Sequence, residues 1–327
     1  MSTPAAPASE AQTRPDVFAI FERYGLILIW AVIAVIFALI RPDVFLQWGT
    51  VSLILGSQTV LVVLALALMI PLVAGDFDLS VAANMTLGSM VFAIMMQWVG
   101  VSMPVALLVV LAVAIVVGLV NALFIIWFNV NSLIVTLGTG TFLGGVILWI
   151  SNSQTISGVA RPLVNFLIVQ RLFGIPLVFF GGLILCLAIW YVLNRTGLGL
   201  RILFTGRSRE VARLTGINVG MIRLGCLLAS AIGSALAGVI YVGTSGAADP
   251  TSGLSLLLPA FAAVFLGSTV FTPGRFNALG TMAAVYFLTT GITGLTMLGV
   301  QTYVQSLFYG GALVIAVTLS QLAARRR

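Results

Sequence analysis

Histidine and lysine are absent from this 327-residue chain, and its fifteen basic residues, all arginine, face only eight acids. Without lysine there is no glycine-rich phosphate loop of the lysine-bearing kind, so this chain cannot hydrolyse ATP by that chemistry. Without histidine there is no His proton relay, no His-based triad and no histidine metal ligand. Charge of either sign is scarce: 7% of residues are charged and 61% are hydrophobic, too little charge to cover a soluble domain of this size. Cysteine is nearly missing. Cys186 and Cys226 both fall inside apolar stretches and read as small buried side chains, not as a disulfide or a metal pair.

What remains is a series of membrane-length apolar segments, with a mean hydropathy of +1.19. A helix needs about 20 mainly apolar residues to cross a hydrocarbon core of roughly 30 Å. Segments of that kind recur near 24–40, 50–73, 79–98, 102–128, 132–150, 176–194, 220–245, 256–272, 278–298 and 303–323. The expected architecture is all-α: a polytopic membrane protein of about ten transmembrane helices. A single transmembrane domain covers 24–323. Residues 1–23, polar and rich in Pro and Ala, lack the apolar core of a cleavable signal and read as a tail. Residues 324–327 form a basic end.

An even number of spans puts both termini on one side, and the arginines decide which. With both ends cytoplasmic, twelve arginines lie inside, and only Arg41, Arg161 and Arg171 lie outside. The positive-inside rule therefore places both termini in the cytoplasm, and the charge of +7 reads as topology, with no nucleic acid implied. Residues 151–175, too polar to span, fall outside and carry a short surface helix over 163–173. Small residues four apart, Gly225, Ala229, Gly233 and Ala237, allow close helix packing.

One sizeable polar loop, 195–219, interrupts the series. Arg195, Arg201, Arg207, Arg209 and Arg213 lie in it and Arg223 just beyond. Ser208 can cap a short helix that Gly216 ends, because glycine tolerates the left-handed conformation past a helix C-terminus. Glu210 and Arg213 are spaced to pair across a turn. Val211 and Leu214 make an apolar face that a two-turn helix in water has no reason to keep, which suits a docking knob for a soluble partner.

Three further stretches can carry function. Gly75-Asp76-Phe77-Asp78-Leu79-Ser80 holds the only two charges between Val44 and Ala160. Carboxylates near a span are costly and are functional candidates by default. Asp78 is placed to cap a helix starting at Leu79, while Asp76, Asp78 and Ser80 can line a transport path. Asn131 to Thr141 puts Thr136 and Thr139 on one face among paired glycines that allow a break, and Asn84 and Asn121 add in-span amides; such donors suit a neutral polyhydroxy solute. The turn at Asp249-Pro250 is a candidate contact for an external partner.

Four stretches, in order, carry a resemblance. They are Gly75 to Val81, Leu133 to Thr139, Gly206 to Asn218 with its Glu210-Val211-Ala212-Arg213-Leu214-Thr215-Gly216-Ile217-Asn218 core, and Ala247 to Thr251 continued by Ala262 to Ser268. Over residues 24–322 the chain resembles the permease subunits of bacterial ABC importers for ribose and other monosaccharides, in the superfamily that includes branched-chain amino acid permeases. The resemblance implies a type II-like importer permease in the bacterial inner membrane, in contact with lipid. Two permease chains, identical or related, would assemble with a cytoplasmic ATPase that holds ATP and Mg, and a periplasmic solute-binding protein would deliver a monosaccharide or polyol. The stretch Arg207, Arg209, Glu210, Val211, Arg213, Leu214, Gly216 and Asn218 corresponds to the ATPase-coupling loop. The family usually has Gly-Gly-Ile-Asp where this chain reads Gly75-Asp76-Phe77-Asp78, and Gly-Gly near Phe271-Thr272-Pro273-Gly274, which weakens transfer of a particular solute. The competing classes are an ion-coupled secondary transporter using Asp76 or Asp78, a permease for another small polar solute such as an amino acid, and a membrane enzyme, which lacks a catalytic constellation.

Overall fold

In the computed structural model, residues 17–325 are described except 160 and 302; the outer parts of the two expected tails, 1–16 and 326–327, lie outside them. Fifteen helical segments follow one another: α1 Val17–Ile40, α2 Pro42–Phe45, α3 Trp48–Ser57, α4 Thr59–Val73, α5 Val81–Ile94, α6 Met103–Ala122, α7 Ser132–Ile150, α8 Arg161–Val164, α9 Leu177–Arg195, α10 Gly197–Arg207, α11 Arg209–Leu214, α12 Val219–Ser245, α13 Leu254–Gly267, α14 Ala278–Met297 and α15 Tyr303–Arg325. Wider π-helical turns extend α5, α6 and α8 over Met95–Val99, Leu123–Trp127 and Asn165–Val169. Among the described residues seven helical stretches are long and apolar enough to cross a membrane, and three shorter apolar helices complete the expected ten.

Helices α4 and α12 are the axis of the bundle. Nearly all of α4 is buried, so its sequence is apolar all round, as a helix enclosed by neighbours should be. Helix α12 runs against α4, α5 and α6, and small residues set how closely. A Cβ on Gly233 would sit 2.9 Å from the Ala67 Cβ on α4, and one on Gly238 would strike the Met85 carbonyl on α5. The expected small-residue stripe is therefore half right. Gly233 and Ala237 are in contact, whereas Gly225 faces open space.

One end of the bundle gathers residues 74–80, the start of α7 and the α10–α12 connection. The opposite end carries two short antiparallel pairings. Strand β1 (Ile156–Ser157) pairs with β4 (Ala247–Ala248), and β2 (Arg171–Leu172) pairs with β3 (Ile175–Pro176). The surface helix expected over 163–173 thus begins earlier, at Arg161, and stops at Val169; Phe173 and Gly174, both at positive φ, form the turn of the β2–β3 hairpin instead. At this end Asp249 accepts from the Thr251 amide and hydroxyl, each at 2.7 Å, and from the Thr155 hydroxyl at 3.2 Å. Hydrogen bonding from the Thr251 hydroxyl, and then its amide, holds the Asp249 carboxyl below its ordinary range.

Candidate coupling site

Helix α4 stops at Val73, two residues after Pro71, and Gly75 takes φ +81°, where a side chain would be strained. The chain then crosses the seven residues 74–80 without helix and re-enters as α5 at Val81, two residues later than the sequence pattern predicts. Asp78 does not cap from the position before the helix. Its Oδ1 accepts from the amide and the hydroxyl of Ser80, at 3.1 and 2.6 Å, and its Oδ2 accepts from the Ser230 hydroxyl at 2.7 Å. Ser80 Oγ in turn accepts from Asn121 Nδ2 at 2.9 Å, which ties α6 into the same knot.

The rest of the break is held by α7. Phe77 N donates to Ser132 Oγ at 3.1 Å and Leu79 N to Thr136 Oγ1 at 3.0 Å, so two non-helical amides find partners on a neighbouring helix. Asn84 follows on α5 and donates to the Ala231 carbonyl and to Ser234 Oγ, at 2.7 and 2.8 Å. Asp76, Asp78, Ser80, Asn84, Asn121 and Thr136 are thus brought together, all buried, in a polar seam between α5, α6, α7 and α12. Thr139 stands apart, partly exposed on α7. In this packing neither Asp76 nor Asp78 presents a carboxylate to open space.

Asp76 is 1% exposed and carries two arginines. Arg223, on the first turns of α12 and itself buried, donates Nε to Oδ2 at 2.7 Å and Nη2 to Oδ1 at 2.8 Å, a two-pronged pair. Arg209, the first residue of α11, donates Nη2 to Oδ1 at 2.9 Å and to the Gly75 carbonyl at 3.0 Å. Beside them a Cβ on Gly206 would strike the Val73 carbonyl, and Gly75 lies against the Gly206 backbone. Glycine at 206 lets the polar loop rest directly on the end of α4.

The loop has the expected form. Ser208 Oγ accepts from the Val211 amide at the start of α11, and Gly216 ends the turn at φ +80°. Glu210 and Arg213 do not pair with each other; among the described residues the ion pairs are Arg41–Asp43, Arg209–Asp76 and Arg223–Asp76. With Ala212 buried, the outward face of α11 is Glu210, Val211, Arg213 and Leu214, and Leu214 is 88% exposed. Arg209 points the other way. Sequence reasoning missed Arg223, Ser230 and Ser234, although their spacing of seven and then four residues puts them on one face of α12.

Helix α7 is continuous from Ser132 to Ile150, with no break at its glycines. It buries only Thr136, Leu143 and Ile147. Its outer side forms an open groove of about 930 Å³ lined by Ile134, Leu137, Gly138, Thr141, Phe142, Gly145, Val146 and Trp149.

Comparison with known proteins fits this geometry. The family described as branched-chain amino acid transport system / permease component matches residues 50–317. The chain belongs to this permease family. It is a transport subunit. The D-allose transport system permease protein of Escherichia coli (strain K12) is 31% identical over 320 residues, covering 97% of this chain and 98% of that one. The autoinducer 2 import system permease protein of Salmonella typhimurium is 30% identical over 261 residues, 78% of each chain. Its counterpart in Photorhabdus laumondii is 32% identical over the same length. No solved structure matches the chain.

Proposed function

We propose that this permease imports a monosaccharide or polyol across the bacterial inner membrane, driven by a separate cytoplasmic ATPase that binds ATP and Mg. Its termini and α11 face the cytoplasm, and the turn at Asp249-Pro250 faces a periplasmic binding protein that delivers the solute. The observation that carries this reading is α11 itself: a capped two-turn helix that keeps Val211 and Leu214 exposed while its other side is fastened to the bundle. Burying such a face needs a partner, because apolar area in water costs roughly 25 cal/mol per Å².

A second permease chain completes the path, and the groove on α7 is the wall it would close over. Thr139 and Thr141 supply further hydroxyls on a largely apolar helix, in keeping with a neutral polyhydroxy solute. The buried seam of Asp76, Asp78, Ser80, Asn84, Asn121 and Thr136 acts in this reading as a gate, fixing the relative positions of α5, α6, α7 and α12 in each of two states. The carboxylates do not touch the solute in the present state. Asp76 is already neutralised by two arginines, which argues against a coupling ion or proton there.

The complex taken from its native membrane and placed in proteoliposomes should accumulate labelled D-allose or a related aldohexose only when ATP and the binding protein are present. D-allose is the first probe because a relative carries that name. Accumulation of a branched-chain amino acid with no uptake of any sugar or polyol would overturn the solute assignment.

A further inference from the structure

Arg209 sits inside the stretch that should meet the ATPase, yet its guanidinium is turned away from any partner and into the bundle. We infer that Arg209 is the link through which movement of α11 reaches the membrane helices, with Asp76 as the post it pulls on and Arg223 as the anchor. This rests on the importer reading above and assigns a positioning role to a residue that would otherwise count as a docking contact.

The geometry separates the two arginines. The Arg223 side chain is 6% exposed and makes a two-pronged pair, so the Asp76–Arg223 unit behaves as one piece of α12 and the α4–α5 break. The Arg209 side chain is 40% exposed and shares only Oδ1, adding one bond to the Gly75 carbonyl. A partly exposed pair of this kind contributes little to stability, whereas breaking a buried one is strongly destabilising. Losing Arg209 therefore leaves the fold and the Asp76–Arg223 unit in place while removing the charge contact across the joint. The post is well sited to distribute a pull. Asp76 lies two residues from Asp78, which holds α12 through Ser230, and one from Phe77, which holds α7 through Ser132. What remains at the α4 end without Arg209 is the van der Waals contact of Gly206, on α10, with Val73 and Gly75, which resists a push but gives α11 no charged or hydrogen-bonded hold on the break.

The test compares the wild-type complex with Arg209→Gln and Arg209→Lys, each carrying spin labels at Val130→Cys and Thr272→Cys, two exposed positions in loops that flank the bundle. The native Cys186 and Cys226 are buried and stay unlabelled. The wild-type label distance is expected to shift when the bound ATPase is trapped with ADP and vanadate. In Arg209→Gln the ATPase should co-purify in wild-type amount and still hydrolyse ATP, but the shift should be lost; Arg209→Lys should restore most of it. Loss of the ATPase from Arg209→Gln would make Arg209 a docking residue and overturn the inference. So would an undiminished shift, which would mean that contact at Gly206 suffices. Failure of the importer reading is distinguishable, because the wild-type chain itself would then carry no ATPase.

Discussion

Asp76→Asn is expected to destabilise the folded chain by about 3–5 kcal/mol, the usual cost of removing one member of a buried ion pair. Asparagine keeps the shape of the side chain and removes the charge. Arg209 can swing to water, but Arg223 is buried and would be left as a cation without its paired carboxylate. Thermal unfolding of the purified protein in mild detergent should show the loss as a lower midpoint and a poor yield of monodisperse protein. The double variant Asp76→Asn with Arg223→Gln should recover much of it, because no uncompensated charge stays inside. Equal loss in the single and double variants would mean that the pair contributes shape alone. An ion-coupling role for Asp76 makes a different forecast: the single variant would fold normally and fail only in transport.

Gly238→Leu is the second large expected effect. The new Cβ would meet the Met85 carbonyl and stand 2.7 Å from the Ser89 amide, both backbone atoms of α5 that cannot rotate aside. Overpacking usually costs about 1–3 kcal/mol and occasionally more, and rigid backbone on the receiving side puts this site at the upper end. The separation would also stretch the Asn84 bonds to Ala231 and Ser234, which cross the same interface. Gly225→Leu is the control on the same helix, since a Cβ there meets nothing within 4 Å among the described residues. The unfolding midpoint should fall for Gly238→Leu and hold for Gly225→Leu; a similar fall in both would remove close packing as the reason for glycine at 238.

Much of this architecture is readable before any coordinates. Ten apolar runs announce ten helices because each must satisfy its own backbone in lipid. Helix α11 is equally legible, since Ser208 and Gly216 bracket it with local chemistry that does not depend on the rest of the fold. The seam was harder to read. Asp76 and Asp78 stand out as lone charges, and that invites a path-lining role, but only the packing brings Arg223 and Arg209 to the same carboxylate from positions 147 and 133 residues away. A clue existed: Arg223 lies four residues into an apolar helix, and an arginine there calls for a nearby acid. The Glu210–Arg213 spacing misled in the opposite sense, because exposed residues three apart gain too little to forgo water. The starts of the short segments were also hidden. Helix α5 begins at Val81 because the Phe77 and Leu79 amides bond to α7, a partner more than 50 residues away that no local pattern can announce.

The central claim is that this chain is the membrane half of a machine whose motor is a different protein, docked on α11. It is tested most directly by affinity purification from the native membrane in mild detergent, with the wild type beside Glu210→Arg. Glu210 is exposed and forms no ion pair among the described residues, so the substitution should leave the fold intact and reverse one charge on the docking face. A stoichiometric nucleotide-binding protein that accompanies the wild type and is lost from Glu210→Arg is the predicted result. A chain that purifies alone and still drives uptake on an ion gradient would contradict the account.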